Sequence, residues 1–332
     1  MRDAEGASPA GHVFDPGVAT DLERALAALD DDAPDPRAGL FGPGSTVWEV
    51  NRETALFLGA GRALLMQLAH PAVAQAIVDH SPVRHAPVAR FHRTFRPVYA
   101  MVFGSRAQAY GCARAVHRTH AAIGGTLPAT DAHRAAGTAY RANDPEASRW
   151  VYATLAQSAL VTRELVLPPL GDAAVDAYCD ESRRFGALFG LGAEALPADR
   201  SGLDALVDAA LDDGTLAVGA AGAELARFFL EREGGLLGRL VPRWYVALTA
   251  ELLPAPLREV FGLRPDAADV AAAARTLDRV RRLYPRLPPR LRYVPPYHEA
   301  LERLAGRRGP SLATRLGNRL WIGRSRLPGA IG

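Results

Sequence analysis

The sequence predicts an all-α protein. Three observations carry that expectation. Strand-like alternation of apolar and polar residues is almost absent along the 332 residues. Long stretches instead place apolar residues at helical spacing, or are apolar nearly all round. Start and stop signals bound them, such as Asp144-Pro145 before one stretch and Gly124-Gly125 after another. No repeat period is present, so ten or more unlike helices are expected in one multi-helix domain.

Taken in order, residues 1–18 are rich in Gly, Pro, Ala and Asp and read as a mobile start. Residues 19–31 read as a short helix and 33–44 as a Pro/Gly connector. A helix is predicted from Thr46 toward Gly59, because Thr46-x-x-Glu49 has the capping-box spacing. Gly61 marks a break or a close helix contact. Residues 62–79 are apolar on every side, which predicts burial, with a kink or break near His70 imposed by Pro71. Helices follow over 87–103 and 105–124. Residues 126–143 show no period and read as a loop with room for a short hairpin. Asp144 as N-cap and Pro145 at the first position open a long helix, 145–166. More helices are predicted near 172–190, 202–212, 215–233, 239–252 and 267–284. The expected division is an N-terminal segment 1–32, a helical domain 33–300 and a basic C-terminal tail 301–332.

Hydrophobic residues make up 48% and charged residues 23%, ordinary for a soluble globular chain. The formal charge is +3, and nearly all cations are Arg interspersed with Asp and Glu. The pI of about 9.1 therefore says little about nucleic acid, and no nucleic-acid partner is expected. Cys112 and Cys179 lie far apart and form no CxxC pair, which disfavours a metal–thiolate site and suits a reducing compartment. The N-terminus does not read as a signal peptide, and no run of 18 apolar residues exists. A cytoplasmic protein is the resulting expectation. The tail 303–332 is Arg-rich, with Leu, Trp321 and Ile322 interleaved. It could touch an acidic surface, which keeps peripheral membrane contact open, but a docked or solvated tail is preferred.

Two polar clusters interrupt this Ala-, Leu- and Val-rich pattern. One is Arg90-Phe91-His92-Arg93-Thr94, the other His117-Arg118-Thr119-His120. Arg90 and Thr94 are four apart and the two histidines three apart, so on helices each pair shares a face. Both clusters are expected to point inward. An imidazole beside an Arg and a Thr suits an anionic cofactor with a metal at its centre, and heme is the evident candidate. Taken alone, His120 reads more often as a satisfied core histidine, and Arg90 as a surface arginine in a salt bridge. His70 reads as structural, its ring satisfying a carbonyl freed by Pro71. His80, with Asp79 and Ser81, caps a helix end and is a weaker candidate for lining a pocket. His85, His92, His133 and His298 carry no signal, and Trp48 and Trp150 read as core aromatics. A zinc hydrolase is disfavoured, because there is no HExxH or Cys cluster.

The run Gly44-Ser45-Thr46-Val47-Trp48, then Ala63 through Pro71, then Asp79-His80-Ser81, resembles the MpaB-type oxygenases. This large, mostly bacterial group includes the rubber oxygenase called latex-clearing protein. The likeness continues through Arg90-x-x-Arg93-Thr94, Val102-Phe103-Gly104, His117-x-x-His120, Gly124, Tyr140-x-Ala142-x-Asp144-Pro145 and Trp150-Val151. It spans roughly residues 40–255. Each motif is weak, and their order and spacing together are specific.

The resemblance implies a globin-like core around heme b, with His120 as the proximal iron ligand and His117 beside the heme. It places Arg90 and Thr94 near the heme as well. Arg93 stands where rubber oxygenase carries a Lys able to cap the iron; a guanidinium keeps its proton and cannot do so. The catalytic candidates are thus Arg90, Thr94 and His117. The cofactor contacts are His120, His117, Arg90, Arg93 and Thr94, with His120 alone on the metal. The expected activity is that of a heme b-dependent oxygenase or oxidase, acting with O2 on a small apolar or lipid-like substrate. Two other classes stay in view, a non-catalytic heme sensor or carrier and a metal-free helical scaffold. The oligomeric state is left open.

Overall fold

The computed structural model describes residues 16–29, 35–81, 87–130, 134–230 and 241–329. His85 and His133 lie outside them. Helices carry the architecture. The strands among the described residues are β1 (Gly124–Thr126) and β2 (Ala139–Arg141), an antiparallel pair with Gly125 opposite Tyr140. One main hydrophobic core runs through the chain from Leu22 to Leu327, so the protein is an all-α single domain.

Helix α1 spans Pro16–Ala28 and α2 Thr46–Asn51. The N-cap of α2 is Ser45 rather than the expected Thr46: its Oγ accepts from the Trp48 amide at 3.1 Å. The helix also stops short of Gly59, and residues Thr54–Gly59 form a 3-10 turn. Glu53 explains the break. Its backbone is extended, and its buried carboxylate accepts from Arg292 Nε and Nη2 at 2.8 and 2.7 Å and from the Tyr284 hydroxyl at 2.8 Å. Staying helical would have pulled Glu53 away from those remote partners.

Helices α3 (Ala60–Leu68) and α4 (Pro71–His80) are separated at His70, which is extended at φ −86°, ψ 117°. Pro71 then begins α4 at a position where no N–H is needed. Helix α5 (Pro87–Phe103) passes through Pro97 without stopping, and α6 is Arg106–Ala121. Then come α7 (Pro145–Val166), α8 (Asp172–Ala187), α9 (Arg200–Asp212) and α10 (Ala220–Leu230). Asp144 caps α7, accepting from the Ala147 amide at 3.1 Å. Gly222 lets α10 cross the α3–α4 break, because a Cβ there would sit 2.5 Å from the Leu68 carbonyl oxygen. The chain continues through α11 (Arg243–Leu252), α12 (Ala255–Val260) and α13 (Ala267–Leu283).

The C-terminal stretch adds helices the sequence reading did not place: α14 (Pro289–Arg292), α15 (Pro295–Leu304) and α16 (Leu312–Ile322). Helix α16 packs on α5 and α15. Asn318 in α16 donates to buried Glu299 of α15 at 2.6 Å.

Trp48 and Trp150 lie in the core. Each indole N–H is satisfied by a carbonyl, Trp48 by Val102 at 2.8 Å and Trp150 by Met66 at 2.9 Å. Among the described residues, no helix is long and apolar enough to cross a membrane.

Candidate functional site

The site is organised by the α5–α6 hairpin. Gly104 and Ser105 make the turn: a Cβ on Gly104 would meet the Ala100 carbonyl at 2.2 Å, and Ser105 with Gln108 forms a capping box. Arg90 and His120 each lie about four helical turns from this bend, so both sit at the far end of the hairpin. The end of α4, the β1–β2 hairpin and the start of α7 meet there too. The hydroxyl of Tyr140 donates to Asp79, His80 Nε2 lies 3.1 Å from the Gly124 carbonyl, and Arg90 Nη1 donates to Ser81 Oγ. His80 is exposed and reaches β1, while Ser81 takes the C-cap position of α4.

The two histidines of α6 differ in setting. His117 is buried, and its carbonyl accepts from Asn143 Nδ2 at 3.1 Å. His120, one turn on, is half-buried. Burial and the neighbouring His117 hold its ring below the usual histidine range, and a hydrogen bond to Asn143 opposes them. Asn143, which gives an amide N–H to the His117 carbonyl, thus stands beside both histidines of α6. Asn143 fell on an unassigned position of the Tyr140–Pro145 run. Only the return of the hairpin to α6 shows what it does.

The first cluster is less inward than expected. Arg90 is half-buried, and burial together with Arg93 pushes its guanidinium below the ordinary arginine range. Arg93 and Thr94 are exposed. His92 turns the other way, with Nε2 2.9 Å from the Leu320 carbonyl of α16. Phe91 and Phe95 likewise pack against Phe57, which also meets Trp321 of α16. The structure therefore brings Arg90, His117 and His120 to one end of the hairpin, and leaves Arg93 and Thr94 at the surface of α5. Among the described residues no carboxylate lies within ion-pair distance of Arg90 or Arg93, and no group of three His, Cys, Asp or Glu could hold a metal ion. The surface hollow lined by Pro36, Arg37, Ser105 and Tyr110 is at the opposite end of the hairpin.

His70 departs from its expected role. It is almost fully buried and neither ring nitrogen has a hydrogen-bond partner among the described residues; Glu146 Oε1, at 3.7 Å, is too far for one. Pro71 explains this. At the first position of a helix it costs no backbone hydrogen bond, so there is no freed carbonyl for the ring to satisfy. A buried cation also went unread in the sequence. Arg62 of α3 donates to Ser158 and Gln157 at 2.6 Å each and to the Leu252 carbonyl at 2.9 Å, and burial pushes it down to about 10.

Fold and site together define an all-helical protein with a cationic, histidine-bearing corner at one end of a helical hairpin. Residues 47–284 match the family described as ER-bound oxygenase mpaB/B'/rubber oxygenase, catalytic domain. That region is well over half of the chain, and the chain belongs to this family of oxygenase catalytic domains. No curated protein and no solved structure matches it.

Proposed function

We propose that the protein is a heme-dependent oxygenase that uses O2 on a small apolar or lipid-like substrate. The observation that carries the reading is the pairing of His120 with Asn143. A metal-ligating histidine commonly has its other ring nitrogen held by a neighbouring polar group that fixes its orientation, and the Asn143 side chain, bonded to the His117 carbonyl, stands beside His120 to do so. Two further features agree. Burial favours the neutral ring, the form that binds metal. Arg90 is a half-buried cation without a carboxylate among the described residues, as a propionate partner would be.

His120 would hold the iron, Arg90 would hold a propionate, and His117 would stand next to the group. Arg93 and Thr94, about one turn along α5 from Arg90 and exposed, would offer donors only at the outer edge of the group. Bound heme would supply the redox-active iron at which O2 is used. The protein's own groups would orient the His120 ring, offset the charge of the carboxylates and, by burial, favour the neutral imidazole. Arg93 stays protonated and can only donate hydrogen bonds.

An absorption spectrum of the purified protein, with and without dithionite and CO, tests the cofactor. A Soret band that shifts on reduction and again with CO is expected; a colourless protein that takes up no added hemin would end the reading. Heme binding without O2 consumption toward any apolar substrate would instead favour the sensor or carrier.

A further inference from the structure

We propose that α16, with the adjoining segment 281–291, is a docking face for an anionic lipid bilayer. This goes beyond the oxygenase reading and does not depend on it. Helix α16 buries one side and leaves an apolar row on the other. Thr314, Asn318 and Ile322 face the protein and are buried. On the other side Leu312, Leu316 and Leu320 form a row, one turn apart, and remain 70%, 54% and 74% exposed. Scattered surface leucines are ordinary, but an aligned row is a patch, and a patch marks contact with something apolar. Arg315, Arg319 and Arg324 flank the row and are exposed, with no ion pair among the described residues.

The neighbouring segment repeats the composition. Leu283, Leu287 and Leu291 are exposed and alternate with exposed Arg282, Arg286 and Arg290. The two stretches adjoin. Gly317 of α16 lies against Pro295, where a Cβ would be 2.7 Å from its Cγ, and Trp321 and α14 both pack on the Thr54–Gly59 turn.

Charge decides the partner. Residues 279–332 hold 13 Arg and only two acidic residues, Glu299 and Glu302. Both are engaged inward: Glu299 by Asn318 and the Leu327 amide, Glu302 by the Ser311 amide and Thr314. The face is therefore apolar and cationic, and the exposed carboxylate at its edge, Asp278, is paired with Arg281 at 3.8 Å. An interfacial helix has this composition: its leucines sink into the boundary of the acyl chains while arginines reach up to phosphates. Guanidinium binds phosphate in a two-pronged geometry, which suits a phospholipid head group. A nucleic acid would use the arginines and leave the leucine row in water. Two elements of the same character also make a face rather than a groove for one partner helix.

Vesicle co-sedimentation of the full-length protein tests this. Vesicles of equal parts phosphatidylglycerol and phosphatidylcholine should pellet the protein at low salt, and phosphatidylcholine alone should not. Rising ionic strength should release it. Leu316→Asp with Leu320→Asp should weaken binding at least about tenfold, since each leucine loses its apolar insertion. Arg315→Ala with Arg319→Ala should weaken it about fivefold per charge and flatten the salt dependence. All four side chains are exposed, and an unchanged circular dichroism spectrum would confirm that the variants fold. No binding to the anionic vesicles, equal binding to both, or binding untouched by the leucine variants overturns the proposal. So does a wild-type dimer, seen by light scattering, that the leucine variants convert to monomer; the face would then belong to a second copy of the chain.

Discussion

Substituting Arg292 tests how the chain closes on itself. The Glu53 side chain is 1% exposed and that of Arg292 19%. Arg292 gives the carboxylate two of its three close hydrogen bonds; Tyr284, whose hydroxyl burial pushes up to about 12, gives the third and stays a donor across the usable pH range. Arg292→Met would leave a buried carboxylate with Tyr284 and, at 3.7 Å, Arg52. Removing one partner of a buried pair costs roughly 3–5 kcal/mol, because the other charge stays desolvated. Glu53→Gln should cost less, about 2 kcal/mol, since the uncompensated Arg292 is partly exposed and can turn toward water. The double variant removes both charges and should cost well under the sum of the two single costs, with a coupling of about 2 kcal/mol or more. Urea unfolding of all four proteins, followed by far-ultraviolet circular dichroism and tryptophan fluorescence, measures it; the two probes must coincide for a single free energy to have meaning. A coupling under about 0.5 kcal/mol would refute the claim that this pair ties the start of the core to residues 284–292.

Four further outcomes are expected. His120→Ala should fold, since Ala is the better helix former, yet lose heme or hold it weakly; full heme content with an unchanged spectrum would falsify the ligand assignment. Arg90→Ala should weaken hemin binding by about 1.5–3 kcal/mol, the range for a charge-assisted bond, and a titration matching wild type would remove Arg90 from the site. His70 has its pKa lowered, chiefly by burial and then by Arg134, with Glu146 and Asp144 opposing. Its folded pKa is therefore below the unfolded value of about 6.5, so its contribution is intact above that pH and is lost as pH falls from there toward the depressed value. Melting temperatures of wild type and His70→Gln across this window should show a flatter acid limb in the variant. Gly222→Ala should cost about 1–3 kcal/mol, because its Cβ meets the backbone of Leu68, and a melting temperature equal to wild type would contradict the close crossing.

Much of the fold was written in local chemistry. Asp144-Pro145 began α7 where it stood in the sequence, and Pro71 divided α3 from α4, because capping and the missing proline N–H act within a few residues. The break after α2 was not legible that way, since Glu53 leaves the helix for Arg292, 239 positions along the chain. The C-terminal helices were hidden for a related reason. The prolines between 285 and 296 and the dense arginines read as a tail, and α16 owes its place to contact with α5 and α15.

The candidate site divides along the same line. Sequence alone put His117 and His120 one turn apart, and Arg90 four residues from Thr94, because helical period is a local property. It could not tell that the hairpin would set Arg90 level with His120 while Arg93 and Thr94 are exposed, nor that Asn143 would return from β2 to stand beside both histidines. Spacing determines which side chains share a face. Which face is covered, and which remote group satisfies a buried ring nitrogen, is decided only when distant segments pack, and there the cost of an unpaired polar atom selects the partner.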